Sequence, residues 1–173
     1  MSLFPFAAGA ATAAPTFPTP DFPVSVRGVS LAGAEFAPTV LPGVAGTNFA
    51  WPTAAEIAYY AGKGFDLARI PFLLERIWPD TTKDLDSAYL AKLIATIDAV
   101  RAAGMWAMPD IHNYWRYRGS LITEYQLVYV WSRLATAIGT RDRMILGLMN
   151  EPNGVPAATV VSAQNAAILA IRA

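Results

Sequence analysis

At 173 residues the chain has room for one domain with a real hydrophobic core and too little for two. Hydrophobic residues make up 54% and charged residues 15%, and Lys+Arg and Asp+Glu balance at 13 each, which argues against disorder and against a basic footprint for nucleic acid or an anionic membrane. With no cysteine and one histidine, a disulfide framework, a thiolate metal centre and a multi-histidine metal site within one chain are excluded.

Residues 1–23 are low in complexity, with Pro15, Pro18, Pro20 and Pro23 close together, and read as an extended lead-in to a domain over 24–173. Arg27 is the first cation after the initiator, so the basic start of a secretory signal is missing and no intact signal peptide is expected. Pro, Gly and charges interrupt every apolar run before the roughly 18 residues that a bilayer span needs. A soluble chain with no membrane partner is expected.

From Val24 onward a short apolar run, a loop and an amphipathic segment closed by Gly recur. The first run is VSVRGVSLAG (24–33); after a Gly/Pro loop, Thr53 and Glu56 stand at capping-box spacing ahead of a helix that Gly64 stops. The second, FDLARIPF (65–72), leads to Asp86 as an N-cap, then to Leu90, Leu93, Ile94, Ile97 and Val100 at helical spacing up to Gly104. The third, MWAMPDIH (105–112), precedes a helix over about 123–138 that ends at Gly139. The fourth, MILGLMN (144–150), precedes a helix that starts near Pro156, a favourable first-turn residue, and runs to the end of the sequence. Strands alternating with helices at this spacing imply an α/β fold of about four right-handed βα units on a parallel sheet. SLAGAEFAP, after the first run, does not fit the Gly-rich phosphate loop of a dinucleotide fold, so no nucleotide cofactor is expected.

In parallel α/β folds ligands sit at the carboxyl ends of the strands. Here those ends carry Glu35 after the first run, Arg69 on the second, Asp110 and His112 on the third, and Asn150 and Glu151 on the fourth. Period-two alternation puts Asp110 with His112 on one face, and Met149 with Glu151 on one face, so the polar groups are expected to converge. Each also has an ordinary reading. Arg69 reads as a buried cation paired with a carboxylate, His112 as a satisfied structural imidazole, Asp110 as a turn cap, Glu35 as a solvated loop residue, and Asn150 as the N-cap of a short turn.

Taken together and in order, RGVSLAGAEF, GFDLARIPF, MPDIHNY and LMNEPNG resemble the first four strand motifs of glycoside hydrolase family 5, particularly its endo-β-1,4-glucanases. The loops PGVAGTNFAWPT and LLERIWPD are similar too. The resemblance implies half of a (β/α)8 TIM barrel, retaining chemistry on a β-glucan, no metal or organic cofactor, and a secreted protein. It makes Glu151 the general acid/base and gives Asn150 the sugar 2-hydroxyl. Arg69 would hydrogen-bond the nucleophilic carboxylate, and His112 would touch substrate where cleavage occurs. Retaining hydrolysis needs one carboxylic acid to protonate the leaving oxygen and a second carboxylate, roughly 5 to 5.5 Å away, to attack the anomeric carbon. Glucan rings also stack on aromatic faces, and Trp51, Trp78, Tyr114, Trp115 and Tyr117 all fall in loops. Loop anchoring is their alternative reading. Trp115 and Tyr117 are the better placed because they follow His112, and Glu35 is a further substrate-binding candidate.

A complete barrel of this kind runs to about 250 residues. The family's strand-seven nucleophile has no counterpart here, so the resemblance implies an N-terminal half barrel with little or no activity alone. Four strands cut from a barrel leave two unpaired edges and an uncovered apolar layer, so a homo-oligomer joined through those edges is expected. The rival readings are a non-catalytic β-glucan-binding module and a self-assembling half-barrel scaffold.

Overall fold

The structure, a computed structural model, describes residues 25–173. The proline-rich lead-in and Val24 lie outside the described residues. In chain order the elements are β1 (Gly28–Ser30), α1 (Ala54–Gly62), β2 (Leu67–Phe72), α2 (Leu74–Ile77), α3 (Ser87–Ala102), β3 (Trp106–Ile111), the hairpin strands β4 (Arg116–Tyr117) and β5 (Ser120–Leu121), α4 (Glu124–Ile138) and α5 (Ala157–Arg172).

The helix starts follow their caps. Thr53 and Glu56 close a capping box on α1, Thr123 and Gln126 close one on α4, and the Asp86 side chain accepts from the Tyr89 N–H at the head of α3. Pro156 sits at the N-cap of α5, one position outside the first turn. The hairpin and the single turn of α2 carry no apolar periodicity and had no signal in the pattern of runs. Positive φ at Arg118 and Gly119 supplies the twist that a two-residue hairpin turn requires.

β1, β2 and β3 form a parallel sheet in that order, with Ser30 opposite Arg69 and Arg69 opposite Met108. β1 is three residues long, far shorter than the 24–33 run. The fourth run, expected as a strand, is no regular strand: it pairs with β3 in parallel only at Ala107 with Met144 and Asp110 with Gly147. Two prolines explain both departures. Along β2 alternate residues turn toward β1, and the Leu31 N–H donates to Arg69 O at 2.9 Å. The next rung needs an N–H from residue 71, which is proline, so the ladder stops at Ser30.

The same happens on the other flank. Ile145 N–H donates to Ala107 O and Gly147 N–H to Pro109 O, but Pro109 has no N–H to return to Ile145 O. The bonds resume at Ile111 N–H to Gly147 O, 3.3 Å. Both prolines point away from the β2–β3 pair, whose register is unbroken from Leu67 opposite Trp106 to Phe72 opposite Ile111.

β2 and β3 share one burial pattern. Ala68, Ile70 and Phe72, with Ala107 and Ile111, are sealed in a core to which α3 gives Leu93, Ile97 and Val100 and α4 gives Leu127, Val130, Trp131, Leu134 and Ile138. On the opposite face Leu67, Arg69, Trp106 and Met108 are only half-buried. A parallel sheet ordinarily has both faces covered. Among the described residues this one has a covered face and a partly open one, and no helix is long and apolar enough to cross a membrane.

Trp131, fully buried, donates its indole N–H to Leu148 O at 2.9 Å and so ties the irregular fourth segment to α4. Trp131→Phe strips that carbonyl of its partner. Unfolding by urea should show a loss of about 1–3 kcal/mol, with faster amide exchange confined first to residues 144–150.

Candidate active site

Arg69 rises from the partly open face of β2 toward the carboxyl ends of the strands. Its Nη1 donates to Ser30 Oγ at 3.2 Å, the residue directly across the register. Its Nη2 faces Asp110 Oδ2 at 2.5 Å, Asn150 Oδ1 at 2.6 Å and His112 Nδ1 at 3.0 Å. Two hydrogens thus serve three acceptors, and the longest contact takes a shared one. One guanidinium joins residues from β1, β2, β3 and the fourth segment.

The arginine also fixes the histidine tautomer. A guanidinium only donates, so His112 Nδ1 must accept and the ring proton lies on Nε2. Tyr114 Oη stands 2.9 Å from that Nε2 and accepts from it, with the two rings edge to face at 5.1 Å. The Tyr114 hydroxyl proton is then free for a ligand.

Asp110 is buried beside Arg69, and the two effects oppose each other. Burial pushes its carboxyl above the ordinary value, outweighing the pull downward from the Arg69 cation and the weaker one from His112. The close approach of the fourth segment depends on Gly147: a Cβ there would lie 2.6 Å from Asp110 Oδ1. Asn150 donates its backbone N–H to Ile111 O at 2.8 Å and turns its side-chain carbonyl to Arg69, while its amide Nδ2 is buried with no hydrogen-bond partner among the described residues.

The expected pairing of Met149 with Glu151 on one face does not occur. Met149 is buried, Asn150 meets Arg69, and Glu151 has φ 39° and stands exposed. That left-handed residue breaks the strand alternation one position before the reading needed it to hold. Glu151 is therefore at the mouth but in solvent.

A cleft of about 440 Å³ opens beside this cluster, walled by Glu35 and Phe36 on one side and by Glu75, His112, Tyr114 and Arg116 on the other. Glu35 is buried and accepts from the Gly33 N–H at 2.8 Å, so its solvated-loop reading is set aside. Buried Arg76 fixes this wall by donating to Ala34 O (2.7 Å), Phe36 O (2.6 Å) and Pro42 O (3.0 Å), with its guanidinium 4.2 Å from the Phe49 ring centre.

The aromatic platforms fare differently. Trp115 is fully buried, Tyr117 is nearly so, and Trp78 is buried between Tyr117 and Tyr129 with its indole N–H on Lys83 O. These three offer no ring face to a sugar; they anchor the loops, because two consecutive positive φ values at Tyr114 and Trp115 turn the second ring inward. Trp51 is half-buried against Tyr89 at 4.9 Å and lines a separate cleft of about 250 Å³ with Phe49 and Arg76. Tyr114 alone of the set faces the Arg69 cluster. Ser30, Glu75 and Asn113, which complete this arrangement, lie within the stretches that carry the family resemblance but drew no site role from the sequence; the position of Ser30 opposite Arg69 follows only from the register.

The family profile described as "Cellulase (glycosyl hydrolase family 5)" matches residues 20–173. The chain belongs to glycoside hydrolase family 5. It is 36% identical over 147 residues to endo-β-1,4-glucanase B of Emericella nidulans, covering 84% of this chain and 45% of that protein. An endo-β-1,4-glucanase from Xanthomonas axonopodis pv. citri superposes with a TM-score of 0.83 at 35% identity, over 86% of this chain and 49% of that one. A structure of XacCel5A in complex with cellopentaose superposes with a TM-score of 0.82 at 37% identity, over 85% and 49%. The chain thus spans about half the length of the relatives it matches, and its sheet and helices are half of the family's TIM barrel.

Within this family fold, Asp110 yields a pH-dependent stability. Its folded-state pKa is raised, so the folded protein holds this proton more tightly than the unfolded chain does. The contribution is complete below the ordinary carboxylate value of about 4 and is lost as pH rises through the folded-state value. In urea unfolding from pH 3 to 6, wild type should lose stability relative to Asp110→Asn as pH rises. A difference that stays constant across that range would show that burial does not govern this carboxyl.

Proposed function

We propose that this chain forms the acid/base half of a retaining endo-β-1,4-glucanase site, with Glu151 as the general acid/base and with Asn150, His112 and Tyr114 holding the sugar. The observation that carries the reading is the buried Asn150 Nδ2. Among the described residues it has no hydrogen-bond partner, and the same side chain is fixed by Arg69 beside Glu151. A buried amide N–H without an acceptor is costly, and a sugar hydroxyl is the acceptor this chemistry supplies. Arg69 holds Asn150 and His112 in one frame, so substrate hydroxyls meet preset groups. The relative solved with cellopentaose supports a cello-oligosaccharide as the ligand.

Hydrolysis also needs a nucleophilic carboxylate. The two carboxylates nearest the Arg69 cluster and its cleft, Asp110 and Glu35, are both buried, and the proposed reading assigns the attack on the anomeric carbon to neither. The nucleophile comes from outside residues 25–173, and this chain alone binds β-glucan without cleaving it. Cellulose is an extracellular polymer, so a chain of this function works outside the cell.

Reducing-sugar release from a soluble cellulose derivative should be near background for this chain and for Glu151→Gln alike, while cellotetraose still binds. Release by wild type that Glu151→Gln abolishes would overturn the missing nucleophile and keep the acid/base. Failure of cellotetraose to bind at millimolar concentration would remove the glucan site itself.

The half-buried Leu67 and Met108 on the sheet face that is partly open among the described residues support association between copies of this chain, each covering the other. Light scattering at micromolar concentration should give at least twice the 18.6 kDa of one chain. A compact monomer there would refute the association.

A further inference from the structure

The turn that carries Tyr114 holds an uncommon backbone. Tyr114, Trp115 and Arg118 have φ values of 52°, 65° and 52°, a region that residues with a Cβ enter only when their surroundings enforce it. Tyr114 is exposed, so beside the burial of the Trp115 ring the turn is also held from outside the core.

The enforcement comes from two side chains at the ends of the turn. Asn113, buried, accepts from the Leu74 N–H at 2.8 Å through Oδ1 and donates from Nδ2 to Glu75 Oε2 at 2.7 Å. The other carboxylate oxygen of Glu75 accepts the Arg118 N–H at 2.9 Å. One carboxylate thus grips the segment just after β3 and again at the tip of the hairpin. Inside it, the Arg116 N–H donates to Asn113 O at 2.7 Å, and the Arg116 guanidinium reaches Asn153 O at 3.4 Å in the loop that follows Glu151.

We propose that Glu75 and Asn113 form a clamp that positions the Tyr114 hydroxyl over His112 and thereby sets the affinity of the cleft for sugar hydroxyls. They are positioning residues: they act through Tyr114, whose hydroxyl accepts from His112 Nε2–H and keeps its own proton for the ligand. Released from the clamp, the turn relaxes out of positive φ and swings the exposed ring off the imidazole. The ligand part of the proposal rests on the glucan reading above; the clamp itself does not.

His112 is the only histidine in the sequence, so its ring nitrogens give one isolated set of NMR signals. At pH 8, Asn113→Asp sets a carboxylate oxygen against Glu75 Oε2 and opens the clamp. The His112 ring signals should move in the direction that Tyr114→Phe moves them, and cellotetraose binding should weaken roughly tenfold, the scale of one lost hydrogen bond.

The double variant Asn113→Asp with Glu75→Gln reverses the bond, with the new amide donating to the new carboxylate while the Leu74 and Arg118 N–H groups keep their acceptors. Ring signals and affinity should both return toward wild type. Where Asn113→Asp does not fold, Glu75→Gln alone serves, since its one amide oxygen must satisfy two donors. Ring signals that stay in place in single variants whose Tm has fallen would reduce the pair to loop stability and overturn the proposal. If wild type binds no cellotetraose, the glucan reading falls while the ring signals still decide the clamp.

Discussion

The Arg69 guanidinium is the interaction on which the site depends. Ser30, Asp110, His112 and Asn150 come from three segments, β1, the carboxyl end of β3 and the fourth run, and from β2 a planar, permanently charged donor faces all four side chains. A lysine would give one compact charge and three rotatable donors in place of a fixed fork. Because the guanidinium only donates, it also dictates the imidazole tautomer and therefore which way the Tyr114 hydroxyl points. A single charge sets geometry, tautomer and the direction of a hydrogen-bond chain that ends in the cleft.

That convergence needs the strand ends to part, and the two prolines permit it. Pro71 ends the β1 ladder and Pro109 removes a rung beside the fourth segment, while the bonds between β2 and β3 are untouched. The central pair stays rigid and carries Arg69 and Asp110; its flanks are free to bend Ser30 and Asn150 in. Both prolines are plain in the sequence. The apolar runs around them were long enough to read as full strands, and only the residue-by-residue direction of the N–H groups shows which ladder each proline cuts.

Much of the architecture was legible because it is written in local chemistry: the capping box at Thr53, the N-cap at Asp86, the glycine stops, and apolar runs buried where helices cover the sheet. Arg69, His112 and Asn150 were legible at one end from the order of the motifs, although alternation had put Met149 with Glu151 on one face and it is Asn150 that meets Arg69. The aromatic residues were not. Position in a loop does not tell which way a ring points, and Trp115 is turned into the core by backbone angles that no periodicity encodes. Glu75 and Asn113 were hidden for a similar reason: each is an ordinary polar residue until the fold sets one beside the other.

The placement of Glu151 separates two tasks that the sequence presents as one motif. Asn150 is locked by Arg69 and by Ile111 O, whereas Glu151, one residue on, is turned outward on a left-handed backbone and meets solvent. On the proposed reading, the groups that orient a sugar are all held by β1, β2, β3 and the fourth segment. Proton transfer to a leaving oxygen needs the acid enclosed with its substrate and faced by a second carboxylate. The wall that would enclose it lies across the open face of the sheet, on the side of Leu67, Trp106 and Met108. Among the described residues that face leaves Leu67 and Met108 half-buried while Glu151 stands exposed, and on the proposed reading one covering surface would close over both.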